Sequence, residues 1–205
     1  MPKVTESRQT EDQLTRDMLA STASFVNCVN GFNGDNPTEI TKADISDVVQ
    51  DLLSNNAYTI MDNIEGADKF GTAPIRSAYF ALCSTQLTTS LDSVNGFVQK
   101  NQYPSPMNAL DSEWGAVGNL RFLISSIGSI TYGASALSKN VFNIFVTGMQ
   151  GYACIEQDGY SASFIYRPPM YDGPLALNST VGFKFAECPR ILNDLWVLNL
   201  RCTRA

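Results

Sequence analysis

The apolar residues of this chain change their spacing partway along, and that change limits the folds open to it. Ile45, Val48, Val49, Leu52 and Leu53 recur at i, i+3, i+4, i+7 and i+8, which is one face of an α-helix. Thr41 stands where an N-cap belongs, and Asn55-Asn56 where the helix should end. An earlier segment has the same period. Thr10 followed by Gln13 reads as a capping box; Leu14, Met18, Phe25, Val26 and Val29 follow at helical spacing, and Gly31 is a stop signal. The spacing predicts a first helix over 10–30, roughly 20 residues and about 30 Å long. Only one of its faces is strongly apolar.

The second period begins after residue 77. Residues 31–40 are a loop rich in Gly, Asn, Asp and Pro. The short apolar runs 78–83, 121–127, 141–147 and 153–157 predict strands. Between the first two, Ser84 or Thr85 caps a third helix that carries Leu87, Leu91 and Val94 and stops at Gly96. Residues 167–178 contain Pro and Gly and read as a loop. Runs 180–187 and 195–203 predict two closing strands, with a turn over 189–194. Helices come first and strands cluster late, without an internal repeat, which is the pattern of an α+β fold rather than an alternating α/β sheet. A chain of 205 residues is long enough for one substantial core, or for two small lobes sharing one.

Composition removes most chemistry. The chain has no histidine, so Ser-His-Asp and Cys-His nucleophilic sites and most zinc sites are excluded. Its five cysteines, Cys28, Cys83, Cys154, Cys188 and Cys202, are odd in number and widely spaced, with no C-x-x-C pair; they read as buried free thiols. The net charge is −6 and no run of five basic residues occurs, so there is no electrostatic footprint for gripping nucleic acid. No stretch of 18 apolar residues predicts a membrane span, and the polar N-terminal segment has no secretory pattern.

The remaining motifs are weak. Gly66-Ala-Asp-Lys-Phe-Gly71 has the outline of a phosphate loop, but Thr72 replaces the required lysine and Pro74 follows where a helix should open. Carboxylates fall in pairs at Glu65 with Asp68, Asp111 with Glu113, and Glu156 with Asp158. Such pairs serve glycoside chemistry or hard cations, but each lies in or beside turn-rich sequence and reads as solvated surface. Asn178-Ser179-Thr180 fits a glycosylation sequon, and without a secretory pattern it reads as a loop. Trp114 and Trp196 sit among apolar neighbours as core or interface anchors. No catalytic, cofactor-binding or metal-binding residue is assigned. Packing, rather than catalysis, is the expected work of the chain.

Three stretches carry a family resemblance: Lys69-Phe-Gly-Thr-Ala-Pro-Ile-Arg-Ser-Ala-Tyr-Phe-Ala-Leu-Cys-Ser84, Glu113-Trp-Gly-Ala-Val-Gly-Asn-Leu-Arg-Phe-Leu-Ile-Ser125, and Gly182-Phe-Lys-Phe-Ala186 with Ile191-Leu-Asn-Asp-Leu-Trp196. Together with Gly96-Phe-Val98 and Tyr103, they make the chain resemble, from about residue 10 onward, the major capsid proteins of the coliphage N4 group of tailed bacteriophages, which have the HK97-like capsid fold. The resemblance implies a long spine helix with a peripheral lobe, plus an axial lobe of helices around a sheet. On that basis residues 1–40 hold the spine helix and part of the peripheral lobe, 41–165 mostly the axial lobe, and 166–205 the return strands of the peripheral lobe, lying beside the spine. It implies a structural subunit that assembles with itself into pentamers and hexamers around double-stranded DNA, without sequence-specific binding. Portal, scaffold or decoration proteins would be its partners. It implies assembly in the host bacterial cytoplasm and residence in the virion. Family members carry an N-terminal arm and an extended loop ahead of the spine helix. This chain starts near the spine, so the expectation is a truncated form or a separate chain supplying those parts. Arg76 and Arg121 of the matched runs are candidates for salt bridges between subunits or for internal structural arginines. Two other readings compete: a small intracellular enzyme using carboxylates and a divalent cation, and a capsid decoration protein.

Overall fold

A computed structural model of the chain describes residues 2–28, 36–60, 77–103, 109–110, 112–133, 139–156, 163–168, 179–184 and 186–204. Helix α1 spans Pro2–Thr22 and strand β1 Ser24–Asn27; helix α2 spans Lys42–Ser54 and strand β2 Tyr79–Ser84. A 3-10 turn, Thr85–Leu87, runs into the short helix α3, Thr88–Asp92. Strands then follow: β3 Val98–Gln99, β4 Glu113–Val117, β5 Leu120–Ser125, β6 Ile130–Thr131, β7 Val141–Thr147, β8 Tyr152–Glu156, β9 Ser163–Arg167, β10 Thr180–Lys184, β11 Glu187–Ile191 and β12 Val197–Thr203.

Helix α2 is the element the sequence predicts. The Thr41 hydroxyl accepts from the Asp44 N–H while the Asp44 carboxylate accepts from the Thr41 N–H at 2.9 Å, a complete capping box. Its stripe buries Ile45, Val48 and Leu52, each stabilising by about 1.5–3 kcal/mol relative to exposure. Leu53 lies off that stripe and is exposed.

The first helix differs from expectation at both ends. It begins at Pro2, a residue pre-shaped for the first helical position, so Thr10 lies inside it. It ends at Thr22. There the Ser21 and Thr22 hydroxyls both donate to the Met18 carbonyl, at 3.0 and 2.6 Å, a local competition that weakens a helix end. Phe25 and Val26, expected on the helix, instead lie in β1, paired in parallel with Asn199 and Leu200 of β12. Aromatic and β-branched side chains suit that pleated position.

Eight strands form one mixed sheet in the order β1-β12-β7-β2-β5-β4-β3, with β6 paired to β7. β7 is buried along its whole length, as a central strand covered on both faces must be. Side chains alternate between the faces, and two cores result. On the first face Ala81, Phe122, Ile144, Val146 and Leu200 pack with Ile45, Val48 and Leu52 of α2 and with Leu87 and Leu91. On the second, Leu82, Phe145 and Val197 meet Leu19 and Ala23 at the end of α1. Arg16 of α1 also donates to the Ile127 carbonyl at 3.1 Å, tying the helix to the segment after β5.

Two antiparallel ribbons stand outside this sheet, β8 with β11 and β9 with β10. Tyr152 and Ile191 pack the β8–β11 ribbon onto the α1 core. Pro189, expected in a turn, lies in β11 opposite Cys154; a strand in a two-stranded ribbon tolerates a residue without an N–H. The two predicted closing strands therefore part company: the first, over 180–187, is largely β10 of the β9–β10 ribbon, whereas the second, β12, is interior to the main sheet between β1 and β7; β11, which occupies part of the predicted turn, lies beside α1.

Candidate functional site

The most strongly built polar feature is a buried ion pair. β4 and β5 pair in one register at Gly115, Ala116 and Val117, then shift so that Glu113 rather than Trp114 lies opposite Leu123. Trp114 is the extra residue of this bulge. Without it, alternation would put Glu113 on the face of Gly115 and Val117; with it, Glu113 shares the face of Arg121 and Leu123. The Arg121 guanidinium then meets the Glu113 carboxylate in a bidentate fork, Nη2 to Oε2 at 2.6 Å and Nε to Oε1 at 2.9 Å, with both side chains wholly buried. The Tyr103 hydroxyl donates to Oε1 at 2.9 Å and the Leu110 N–H to Oε2 at 3.0 Å. Burial, and then the bond to Glu113, push the Tyr103 hydroxyl above its ordinary value.

Glu113 was expected on solvated surface; it is buried. Burial of a carboxylate is also what a cation-dependent site would need, but each oxygen of Glu113 already accepts two hydrogen bonds. The adjoining cavity of about 270 Å³, lined by Gln99, Lys100, Asn101, Ser112, Glu113, Trp114 and Ile124, is thus offered no open carboxylate lone pair from it. Arg121 is the internal structural arginine of the two alternatives. Trp114 donates to Asp92 at 2.9 Å, and Trp196 to the Asn55 carbonyl at 3.1 Å, each packed against the first core. Glu156 is the register partner of Glu187 along the β8–β11 ribbon backbone. Glu65, Asp68, Gly66–Thr72, Arg76, Asp111, Asp158 and Asn178 lie outside the described residues. Among the described residues no cluster of three or more His, Cys, Asp or Glu could hold a metal ion, and no helix is long and apolar enough to cross a membrane.

The thiols divide. Cys28, Cys83 and Cys202 are buried thiols, as expected; Cys154 and Cys188, in the β8–β11 ribbon, are exposed thiols. Cys154 hydrogen-bonds to Glu187.

What sequence reasoning missed is a surface. β9 and β10 pair Phe183 with Phe164 and Val181 with Tyr166, so one face of that ribbon carries four apolar side chains, most of them exposed. The alternation of Phe164, Tyr166 and of Val181, Phe183 was the available signal. It was hidden because β9 begins six residues after the run assigned to the preceding strand.

No family model and no curated protein matches the chain. Solved structures do. The capsid of Ralstonia phage GP4 is 12% identical at a TM-score of 0.60, over 91% of this chain and 53% of that one. The head structure of Helicobacter pylori bacteriophage KHP40 is 10% identical at 0.58, over 95% and 64%. The SrpI encapsulin complex from Synechococcus elongatus is 15% identical at 0.54, over 96% and 61%. The chain spans between about half and two thirds of the length of these structures. Its fold is the HK97-like fold of phage capsids and encapsulins, a mixed sheet with few helices.

Proposed function

We propose that this chain is a structural subunit of an icosahedral tailed-phage capsid, related to the coliphage N4 group, which assembles with itself into pentamers and hexamers around double-stranded DNA. The observation that carries this reading is the likeness of nearly the whole chain to phage heads and capsids. Many copies of a modest interface would close the shell, each contact gaining from the others. The net charge of −6 suits a wall that encloses DNA without gripping it. Residues 1–40 serve as the spine helix and part of the peripheral lobe, 41–165 mostly as the axial lobe, and 166–205 as the return strands of the peripheral lobe. Portal, scaffold or decoration proteins complete the partners. Assembly takes place in the host cytoplasm and the product resides in the virion. The chain performs no catalysis in this reading.

Electron microscopy of the protein, expressed alone and with the coding region immediately upstream, tests the reading. Closed shells of uniform diameter are expected. A monodisperse monomer under every condition, or addition only to shells built by another protein, overturns it; the second result would identify a decoration protein. A large saturable rise in melting temperature with magnesium or calcium would point to the cation-dependent enzyme instead.

A further inference from the structure

Sheet register brings two buried thiols together at one edge of the main sheet. β1 is the last strand of that sheet and pairs in parallel with β12, Val26 beside Leu200 and Asn27 beside Arg201. The next step of the register sets Cys28 beside Cys202. The ladder does continue there: the Cys28 N–H donates to the Arg201 carbonyl at 2.9 Å. The Cys28 carbonyl accepts from the Thr38 N–H at 3.0 Å and from the Thr38 hydroxyl at 2.9 Å. The Thr203 N–H in turn donates to the Thr38 carbonyl at 2.9 Å. Residue 28 is thus held from both sides against the strand that carries residue 202. Both side chains face the first core and neither reaches solvent. The two thiols hydrogen-bond to each other, which with burial raises Cys28 above its ordinary value.

Spacing separates this pair from the other cysteines. Neighbouring strands lie about 4.7–4.9 Å apart, inside the range of about 4.4–6.8 Å between the Cα atoms of a disulfide. Cys83 lies on β2, with β7 between it and β12, a backbone separation of about 9–10 Å that a disulfide does not span. Cys154 is the register partner of Pro189, and Cys188 of Ile155, so those two thiols lie on opposite faces of their ribbon.

We propose that Cys28 and Cys202 form a disulfide that clasps β1 to β12 when the chain meets an oxidising small disulfide such as oxidised glutathione. One of the pair, as its thiolate, attacks the small disulfide and releases one glutathione thiolate. The other then attacks the mixed disulfide and releases the second. Two protein thiols are oxidised to one disulfide, and one glutathione disulfide is reduced to two glutathione thiols. Both protein thiols are dry in the closed sheet, so the exchange runs while the edge strand β1 is lifted. Reducing surroundings keep both thiols, and an oxidising medium sets the clasp. Its consequence is mechanical. Only Ala23 separates α1 from β1, so a link from Cys28 to Cys202 pins the end of α1 to the interior of the sheet. It also closes a loop that holds most of the chain, which removes freedom mainly from the unfolded state. The clasp lies within one chain and goes beyond the shell reading.

The full-length chain carrying Cys154→Ser and Cys188→Ser keeps only the buried thiols and tests the clasp. Circular dichroism checks that it folds. It is held in a glutathione redox buffer until its mass is constant, then digested with trypsin without reduction. The expected product joins peptide 17–42, which holds Cys28, to peptide 202–204, which holds Cys202. Peptide 77–100, which holds Cys83, should carry a free thiol. The oxidised chain should unfold at a higher urea concentration, its unfolding equilibrium shifted at least about tenfold, and dithiothreitol should reverse the shift. Cys28→Ala or Cys202→Ala in the same chain should abolish both link and shift, whereas Cys83→Ala should keep both. Buried thiols that all stay reduced, a stable glutathione adduct at Cys28 or Cys202, or a link through Cys83 each overturns the pairing. A linked chain no more stable than the reduced one overturns the clasp.

Discussion

Arg121 donates twice to Glu113, at 2.6 and 2.9 Å, and neither side chain reaches solvent. A buried pair of this kind is costly to break, because removing one partner strands the other's charge in a poorly polarisable interior. Glu113→Ala is expected to destabilise the chain by about 3–5 kcal/mol, read as a lowered urea midpoint with an unchanged slope. Replacing Glu113 and Arg121 together by Leu and Met should recover most of that loss. Tyr103→Phe should cost about 1.5–3 kcal/mol, the usual range for one hydrogen bond to a charged group. A loss below about 1 kcal/mol for Glu113→Ala would mean that water enters and solvates Arg121.

Two glycines should answer the same substitution in opposite ways. A Cβ on Gly128 would lie 2.4 Å from the Ser84 Cα and 2.7 Å from its backbone nitrogen, where β2 gives way to the turn before α3. Backbone cannot yield as a flexible side chain can, so Gly128→Ala should cost about 3 kcal/mol or more. A Cβ on Gly182 in β10 meets nothing within 4 Å, and Gly182→Ala should change stability by less than about 0.5 kcal/mol. Thermal melts of the two variants side by side distinguish the outcomes; equal shifts would contradict the packing around Ser84.

The contrast between these sites shows what the chain's sequence makes legible. α2 was readable because cap, stripe and stop are all local, and β7 because a run such as Val141–Thr147 has few alternatives once both sheet faces are covered. Phe25 and Val26 were misassigned because their spacing continued that of α1, while their partners, Asn199 and Leu200, lie far along the chain. Glu113 was misassigned for a subtler reason. Its neighbours suggest a turn, and only the bulge at Trp114 places its carboxylate on the face of Arg121; a one-residue shift in register has no signature in composition or period. The β12 strand was found, but its place in the sheet was not, since strand order depends on contacts between distant segments.

Thiol reactivity should separate the cysteines into two groups. With the native chain, a soluble maleimide is expected to modify Cys154 and Cys188 and to leave Cys28, Cys83 and Cys202 untouched. Guanidinium should then expose all of them, adding three adducts to the mass. Rapid native modification of Cys28 or Cys202 would show that β1 separates readily from β12, contrary to the backbone bond of 2.9 Å from Cys28 to the Arg201 carbonyl.

Alkaline pH should destabilise the fold, and the direction follows from the buried acids. Burial, with a smaller contribution from Cys202, pushes the Cys83 thiol from 9.0 up to about 12. A hydrogen bond with Cys202, followed by burial, raises Cys28 as well, and burial followed by Glu113 raises Tyr103. Each of these groups holds its proton more tightly in the folded chain than in the unfolded one. The stabilisation is therefore complete below the unfolded value near 9 and is lost as pH rises toward the folded value. Between about pH 9 and pH 12, Cys83 alone should remove stability steadily, with the slope of one proton released on unfolding. Urea midpoints are expected to stay level from pH 7 to about 8.5 and to fall steadily above that, with a shallower fall in Cys83→Ala. Midpoints that hold level to pH 10.5, or that rise, would show that these thiols and the Tyr103 hydroxyl reach water in the native state.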